Sequence, residues 1–313
     1  MKRSDVVWSL VGIGAVIFSC FLLYHEIRDI SLEDLADSLR AITSRQWILA
    51  AIATFGAYTA LACYDRIALK HLGKKISLWF ITLCSFTTYA LAHNIGASVF
   101  SGALVRYRAY RTKGLTPQEI GLLIVFCSFT FTLGAIFAGG VVLVVQPNLI
   151  HRVADISPMV SVLIGSGMLA FVALYVLGSW RQFKPRDIGK LKIEYPRLSV
   201  VRDQLIAGPL EILCAAAIIY FALPPETNPG YLVVLGVFLA SFSLALLSHA
   251  PGGLGVLEVT FIAALPEVAT SDVLAALIVF RGFYLLLPFA LSLLVVLGFE
   301  YKQWVARRQQ PHE

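Results

Sequence analysis

Apolar residues run along this chain in windows of about twenty, separated by short polar stretches, a pattern that predicts membrane-spanning helices. Six windows are uninterrupted, near residues 6 to 24, 47 to 69, 118 to 145, 159 to 180, 204 to 223 and 272 to 298. At about 1.5 Å per residue each is long enough to cross about 30 Å of hydrocarbon. Two further apolar segments, 76 to 105 and 231 to 266, are interrupted midway by polar and glycine residues. Each reads as a hairpin of two shorter helices that enters the bilayer and turns back.

The two interrupted segments repeat one another. Ser85-Phe86-Thr87-Thr88-Tyr89-Ala90-Leu91-Ala92-His93-Asn94-Ile95-Gly96 lies without a gap on Ser241-Phe242-Ser243-Leu244-Ala245-Leu246-Leu247-Ser248-His249-Ala250-Pro251-Gly252. The likeness resumes with a two-residue slip at Leu123-Ile124-Val125-Phe126 and Leu277-Ile278-Val279-Phe280, each followed by a further Phe (Phe129, Phe283). A Thr (Thr116, Thr270) opens the last helix in both copies. The expected architecture is an all-α polytopic membrane protein with one membrane domain. Its two halves cover about 1–146 and 157–300, with a tail at 301–313, and hold about six full spans plus two re-entrant helical hairpins.

Composition agrees, with 58% hydrophobic and 14% charged residues and a mean hydropathy of +0.79, far from soluble usage. Charge then orients the chain, because short loops rich in Lys and Arg stay cytoplasmic. Twenty of the 25 basic residues fall in five clusters: 2–3, 66–75, 106–113, 181–202 and 302–308. Both termini are therefore expected in the cytoplasm. The first hairpin, flanked by two basic clusters, would enter and leave from the cytoplasmic side. The second is flanked by Pro224–Gly230 and Pro266–Asp272, which contain no Lys or Arg, and would enter and leave from outside. The repeat is then of inverted topology, the arrangement in which transporters build a binding site at the repeat interface.

The first window reads as a retained anchor, since no small-x-small cleavage site follows it. Ser31-Leu32-Glu33-Asp34 is a capping box ahead of Leu35, Leu39 and Ile42, predicting a short helix that lies on the outer surface or is simply solvated. The five cysteines lie in predicted membrane segments without metal or redox spacing, and no metal or cofactor is called for.

At His249-Ala250-Pro251-Gly252-Gly253-Leu254-Gly255-Val256-Leu257-Glu258 the chain resembles the H-x-P-G-G-x-G-x-x-E segment of the lysylphosphatidylglycerol synthase transmembrane-region family. The best-described member of that family is the flippase part of the multiple peptide resistance factor. Gly102-Ala103-Leu104-Val105-Arg106-Tyr107-Arg108-Ala109-Tyr110-Arg111, closing with Gly114-Leu115-Thr116, is similar to the family's first hairpin. The resemblance implies lipid translocation in a bacterial cytoplasmic (inner) membrane. It gives no support for aminoacyl transfer, because the synthase domain of the two-part relatives has no counterpart in a chain that ends at Glu313.

The broken hairpins carry the candidate chemistry. Pro251 removes a backbone donor, while Gly252, Gly253 and Gly255 permit close approach of a headgroup. The half-helix that begins there would aim its N–H groups at a phosphate, unless the break is only a tight packed turn. Glu258, Glu211 and Arg281 are intramembrane charges and therefore expected to be paired or wet. Arg281 would contact lipid phosphate, with Glu258 and Glu211 balancing it or accepting a headgroup amine; a purely structural ion pair is the alternative. His93 and His249, at matched hairpin tips, are interhelical hydrogen-bonders, proton-linked switches or phosphate donors. Asn94 can satisfy freed backbone groups. Arg106 and Arg108 anchor the cytoplasmic face or capture anionic headgroups there.

The leading expectation is a phospholipid translocase that moves a lipid bearing an anionic phosphate between leaflets through a polar cavity formed by the two inverted hairpins. No nucleic acid is implied, and an oligomer is compatible with the reading. The chain holds no G-x-x-x-x-G-K-[ST] phosphate loop, so nucleotide hydrolysis is not expected. Two other readings stand beside it: a membrane-embedded lipid-modifying enzyme using His249 or His93 with Glu258, and a non-catalytic membrane partner of a lipid-synthesis enzyme.

Overall fold

The computed structural model describes residues 31–95, 98–152, 157–182, 186–188, 191–193, 195–248 and 255–308. The first expected span and the hairpin tip at residues 249–254, with His249, Gly252 and Gly253, lie outside the described residues. Helices dominate what remains: α1 (Leu32–Ala41), α2 (Ser44–His71), α3 (Leu78–Ile95), α4 (Ser98–Arg111), α5 (Pro117–Val145), α6 (Pro158–Trp180), α7 (Leu198–Ala222), α8 (Tyr231–Ser248), α9 (Val256–Ala264) and α10 (Thr270–Phe280). A π-helical turn, Arg281–Leu286, joins α10 to α11 (Leu287–Arg308). Among these, α2, α5, α6, α7 and the continuous run Thr270–Phe299 are long and apolar enough to cross a membrane. They match five of the six expected windows. A small antiparallel pair, β1 (Arg186–Ile188) and β2 (Leu191–Ile193), lies in the basic 181–202 loop.

Sequence signals set the helix starts. Ser31, Thr43 and Thr116 each accept the amide of the residue three positions on, while Asp34, Gln46 and Glu119 return a hydrogen bond to the cap. Each box satisfies two backbone donors that a helix start leaves open. The Ser31 hydroxyl and backbone also hold the Asp34 carboxyl below the usual carboxylate range. Thr270, the repeat counterpart of Thr116, stands one position inside its helix, behind Ala269.

The centre of the bundle is the antiparallel pair α2 and α7. Gln46 donates to the Leu223 carbonyl at 3.0 Å, Tyr64 to the Gly208 carbonyl at 3.2 Å, and Lys70 to Asp203 at 2.7 Å, so contacts run in opposite sequence order along the full length. Helix α5 crosses α7 backbone to backbone: a Cβ at Gly134 would stand 2.7 Å from the Gly208 Cα. In lipid, where apolar surface gains little by leaving one apolar medium for another, such small-residue contacts hold helices together. Gly140 and Gly165 do the same for α5 and α6. The rest of α6 turns Met159, Leu163, Leu174 and Trp180 outward.

Two helical hairpins, α3–α4 and α8–α9, complete the bundle, their arms packed on each other. The outer ends of the first lie together, with Phe80 against the Tyr110 ring and under the Lys113 ammonium, next to a Lys74–Glu119 ion pair at the start of α5. The outer ends of the second lie at the other end of α5. There Leu149 packs on Gly236, and Arg152 donates to the Ala264 carbonyl and to Glu267. Burial would raise the Glu267 carboxyl, but the hydrogen bond from Arg152 overrides it and the net shift is downward. The amphipathic α1 docks on α10.

Candidate functional site

Among the described residues three buried acids organise the polar interior, and each has different partners. Asp65, on α2, is fully buried. Arg106 of α4 reaches its Oδ1 with Nη2 at 2.6 Å and Nε at 3.1 Å. The Tyr110 hydroxyl donates to Oδ2 at 2.9 Å and the Cys127 thiol to Oδ1 at 3.2 Å. The guanidinium also lies 4.9 Å from the centre of the Tyr89 ring. Arg106 is therefore turned inward, clamping α4 to α2, instead of standing on the basic face, whereas Arg108, two residues on, is exposed.

Glu258 and Arg281 meet, as one of the two expected pairings had it. Arg281 Nε and Nη2 lie 2.8 and 2.6 Å from Glu258 Oε1. The other carboxylate oxygen accepts the Gly255 amide at 2.9 Å, at the N-cap of α9. Gly255 holds φ +78°, a left-handed backbone that favours glycine. The half-helix thus begins with its own glutamate bound to its first amide, and that glutamate bound to the basic end of α10.

Glu211 takes a separate partner. It is 4% exposed at the middle of α7, and its Oε1 accepts the Tyr284 hydroxyl, while Oε2 has no hydrogen-bond partner. Tyr284 sits in the π-turn between two rings, Phe280 at 5.1 Å and His93 at 5.1 Å, both nearly parallel to it. Its carbonyl accepts the Tyr58 hydroxyl at 2.9 Å. Asn94 donates to the Leu285 carbonyl at 3.0 Å and to its own helix at Ala90. His93 and Asn94, at the end of the first hairpin's entering arm, therefore pack on the π-turn, where Asn94 serves a carbonyl of another element and not one at the break of its own hairpin.

A cavity of about 590 Å³ opens beside these groups, lined by α5, α7 and α8 with Tyr284 and Leu149. Its wall is apolar apart from Glu211, Tyr284, Thr132 and Ser243. Thr132, Ser243 and Leu244 are exposed, and Thr132 is at the middle of α5, so the opening faces sideways at mid-span height. The expected chamber was polar and lay between the two hairpins. Among the described residues the cavity is bordered by the entering arm of the second hairpin only. The space next to the first hairpin is filled by a row of rings, Phe86, Tyr58, Tyr284, His93 and Tyr89, each with its centre within 6 Å of the next.

Sequence reasoning missed Asp65, Tyr110, Tyr284 and Tyr58. Asp65 carried the same signal as Glu211, a carboxylate inside a spanning window, and stands at the basic end of that window beside Arg66 and Lys70.

No family model matches the chain. It is 28% identical over 311 residues to an uncharacterized protein of Synechocystis, covering 99% of this chain and 96% of that one. It is 30% identical over 252 residues to the inner membrane protein YbhN of Escherichia coli, covering 78% and 77%. It is also 23% identical over 309 residues to the phosphatidylglycerol lysyltransferase of Staphylococcus haemolyticus, covering 90% of this chain but 33% of the enzyme. The resemblance first read at His249–Glu258 and Gly102–Arg111 thus extends over nearly the whole chain, which spans about a third of the lysyltransferase.

Proposed function

The chain belongs to the family of the inner membrane protein YbhN, and from that premise we propose that it is a phospholipid translocase of the bacterial inner membrane. The observation that carries this reading is the laterally open apolar cavity, which has room for acyl chain at mid-span height and a buried carboxyl on its wall. A lipid enters from the bilayer side between α5 and α8 with its chains in the apolar space. Its phosphate competes with Glu258 for Arg281 and for the amide of Gly255, groups already aimed at one anionic oxygen pair. The glycine-rich tip at 252–253, His249 and exposed Arg108 extend the headgroup path in this reading, and Arg106 holds α4 in place.

The two hairpins act as inverted units, with both termini cytoplasmic. The antiparallel α2 and α7 and the attachment of the hairpins at opposite ends of α5 support this, as do the basic clusters. Rocking one half against the other would expose the site alternately. The similarity to phosphatidylglycerol lysyltransferase, of which the chain spans about a third, supports a lipid substrate.

Reconstitution in vesicles with a fluorescent phospholipid tests the proposal. Externally added dithionite should bleach the inner-leaflet label faster with protein than without. Bleaching at the protein-free rate refutes translocation, and a chemically altered lipid recovered from the vesicles would favour the lipid-modifying reading instead.

A further inference from the structure

Among the described residues, Glu211 is the buried acid that no cation contacts. Asp65 has Arg106 and Glu258 has Arg281. The titratable groups that face Glu211 are Tyr58 and Tyr64 on α2, Tyr284 in the π-turn and Cys214 one turn along its own helix. From α5 and α8 the shared cavity receives only apolar side chains with Thr132 and Ser243. Arg281, at the end of α10, is held by Glu258, and His93 reaches the site only through the Tyr284 ring. One carboxyl oxygen is bound by Tyr284, and the other, without a partner, belongs to a residue that lines the cavity.

An ionised carboxylate in such surroundings costs several kcal/mol, whereas a neutral acid costs no more than an incompletely paired polar group. Water or a headgroup entering the cavity reverses that balance, because it solvates the unpartnered oxygen. We infer that Glu211 is a proton-binding site built into the cavity wall, protonated while the cavity is dry and releasing its proton to entering water when the cavity fills. The exchange balances as carboxylic acid plus water giving carboxylate plus hydronium, with no other bond made or broken. Proton binding stands on this geometry alone; its use to drive lipid movement rests on the translocase reading. The coupling ion is then the proton, carried by one residue midway across the bilayer.

Infrared difference spectra of the protein in nanodiscs, between about pH 6 and about pH 9, read the site directly. The wild type should show the C=O band of a protonated carboxyl at neutral pH. Glu211→Gln should lose that band, Tyr284→Phe should shift it, and Asp272→Asn should leave it unchanged. A wild type without the band, or a band that survives Glu211→Gln, overturns the proton site. In vesicles carrying a pH gradient, coupling of one proton per lipid gives up to about tenfold leaflet asymmetry per pH unit, and Glu211→Gln should abolish it. Equal wild-type distributions in both gradient directions overturn the coupling. Absence of lipid movement at every pH sinks the translocase reading and leaves the infrared band to decide the proton site.

Discussion

Arg106→Met is the sharpest test of how the first hairpin is held. The substitution keeps an apolar stem of similar length but removes the charge, and with it the 2.6 and 3.1 Å bonds to Asp65. Asp65, with no exposed surface, keeps only the Tyr110 hydroxyl and the Cys127 thiol. Breaking a buried ion pair by removing one partner costs about 3–5 kcal/mol, because the remaining charge is left uncompensated. At about 1.4 kcal/mol per tenfold, the unfolding equilibrium should rise roughly 100- to 5,000-fold. Asp65→Asn/Arg106→Met removes both charges together and should recover most of that loss, since a neutral pair in the same volume is often as stable. Reversible denaturation in mixed micelles, followed by circular dichroism, measures the full cycle. A single Arg106→Met within about 1 kcal/mol of wild type, or a double variant no better than the single, would refute the reasoning.

Other outcomes follow from the same geometry. Arg281→Ala should abolish lipid movement in vesicles while the protein still inserts and purifies; wild-type flipping in that variant would remove its assigned role. Asn228→Cys and Ala269→Cys should react with an impermeant thiol reagent from outside the cell, and Lys113→Cys only after the inner face is opened. Labelling of position 113 from outside would overturn the topology. Gly134→Val should destabilise by about 1–3 kcal/mol or more, since its Cβ would stand 2.7 Å from the Gly208 Cα. Gly121→Ala, which meets nothing within 4 Å, should be neutral in the same denaturation assay.

What the sequence disclosed depended on how local the signal was. Hydropathy is a property of consecutive residues, so the described spans appear within a few positions of where the apolar windows fall. The break in each apolar hairpin was equally local. The end of the first hairpin was misjudged because Arg106, Arg108 and Arg111 read as loop, whereas α4 runs on to Arg111. A buried arginine can continue a helix when its acid partner comes from a distant helix, here Asp65, and that depends on helix rotation. The pairing of Arg281 with Glu258 was one of two possibilities for the same reason. Nothing in Arg281-Gly282-Phe283-Tyr284 announced the π-turn except a glycine, and the Glu211–Tyr284 bond depends on it.

That turn also explains how two hairpins attached at opposite ends of α5 are joined. In a regular helix, residues three and four apart share a face, so Arg281, Tyr284 and Leu285 would all address one neighbour. Here Arg281 is bound to Glu258 of the second hairpin, while Tyr284 stacks on His93 and Leu285 accepts Asn94, both from the first. The widened turn separates those directions and leaves carbonyls in need of donors, the Tyr284 carbonyl because Pro288, four residues on, has no N–H. Tyr58 and Asn94 supply them at Tyr284 and Leu285. Any shift of the turn towards regular α-helix would therefore disturb the two hairpins and the Glu211–Tyr284 bond together. In the proposed translocation, a headgroup that drew Arg281 away from Glu258 would therefore pull on an element that touches both hairpins and the cavity, which gives a local exchange of ion partners a route to a global motion.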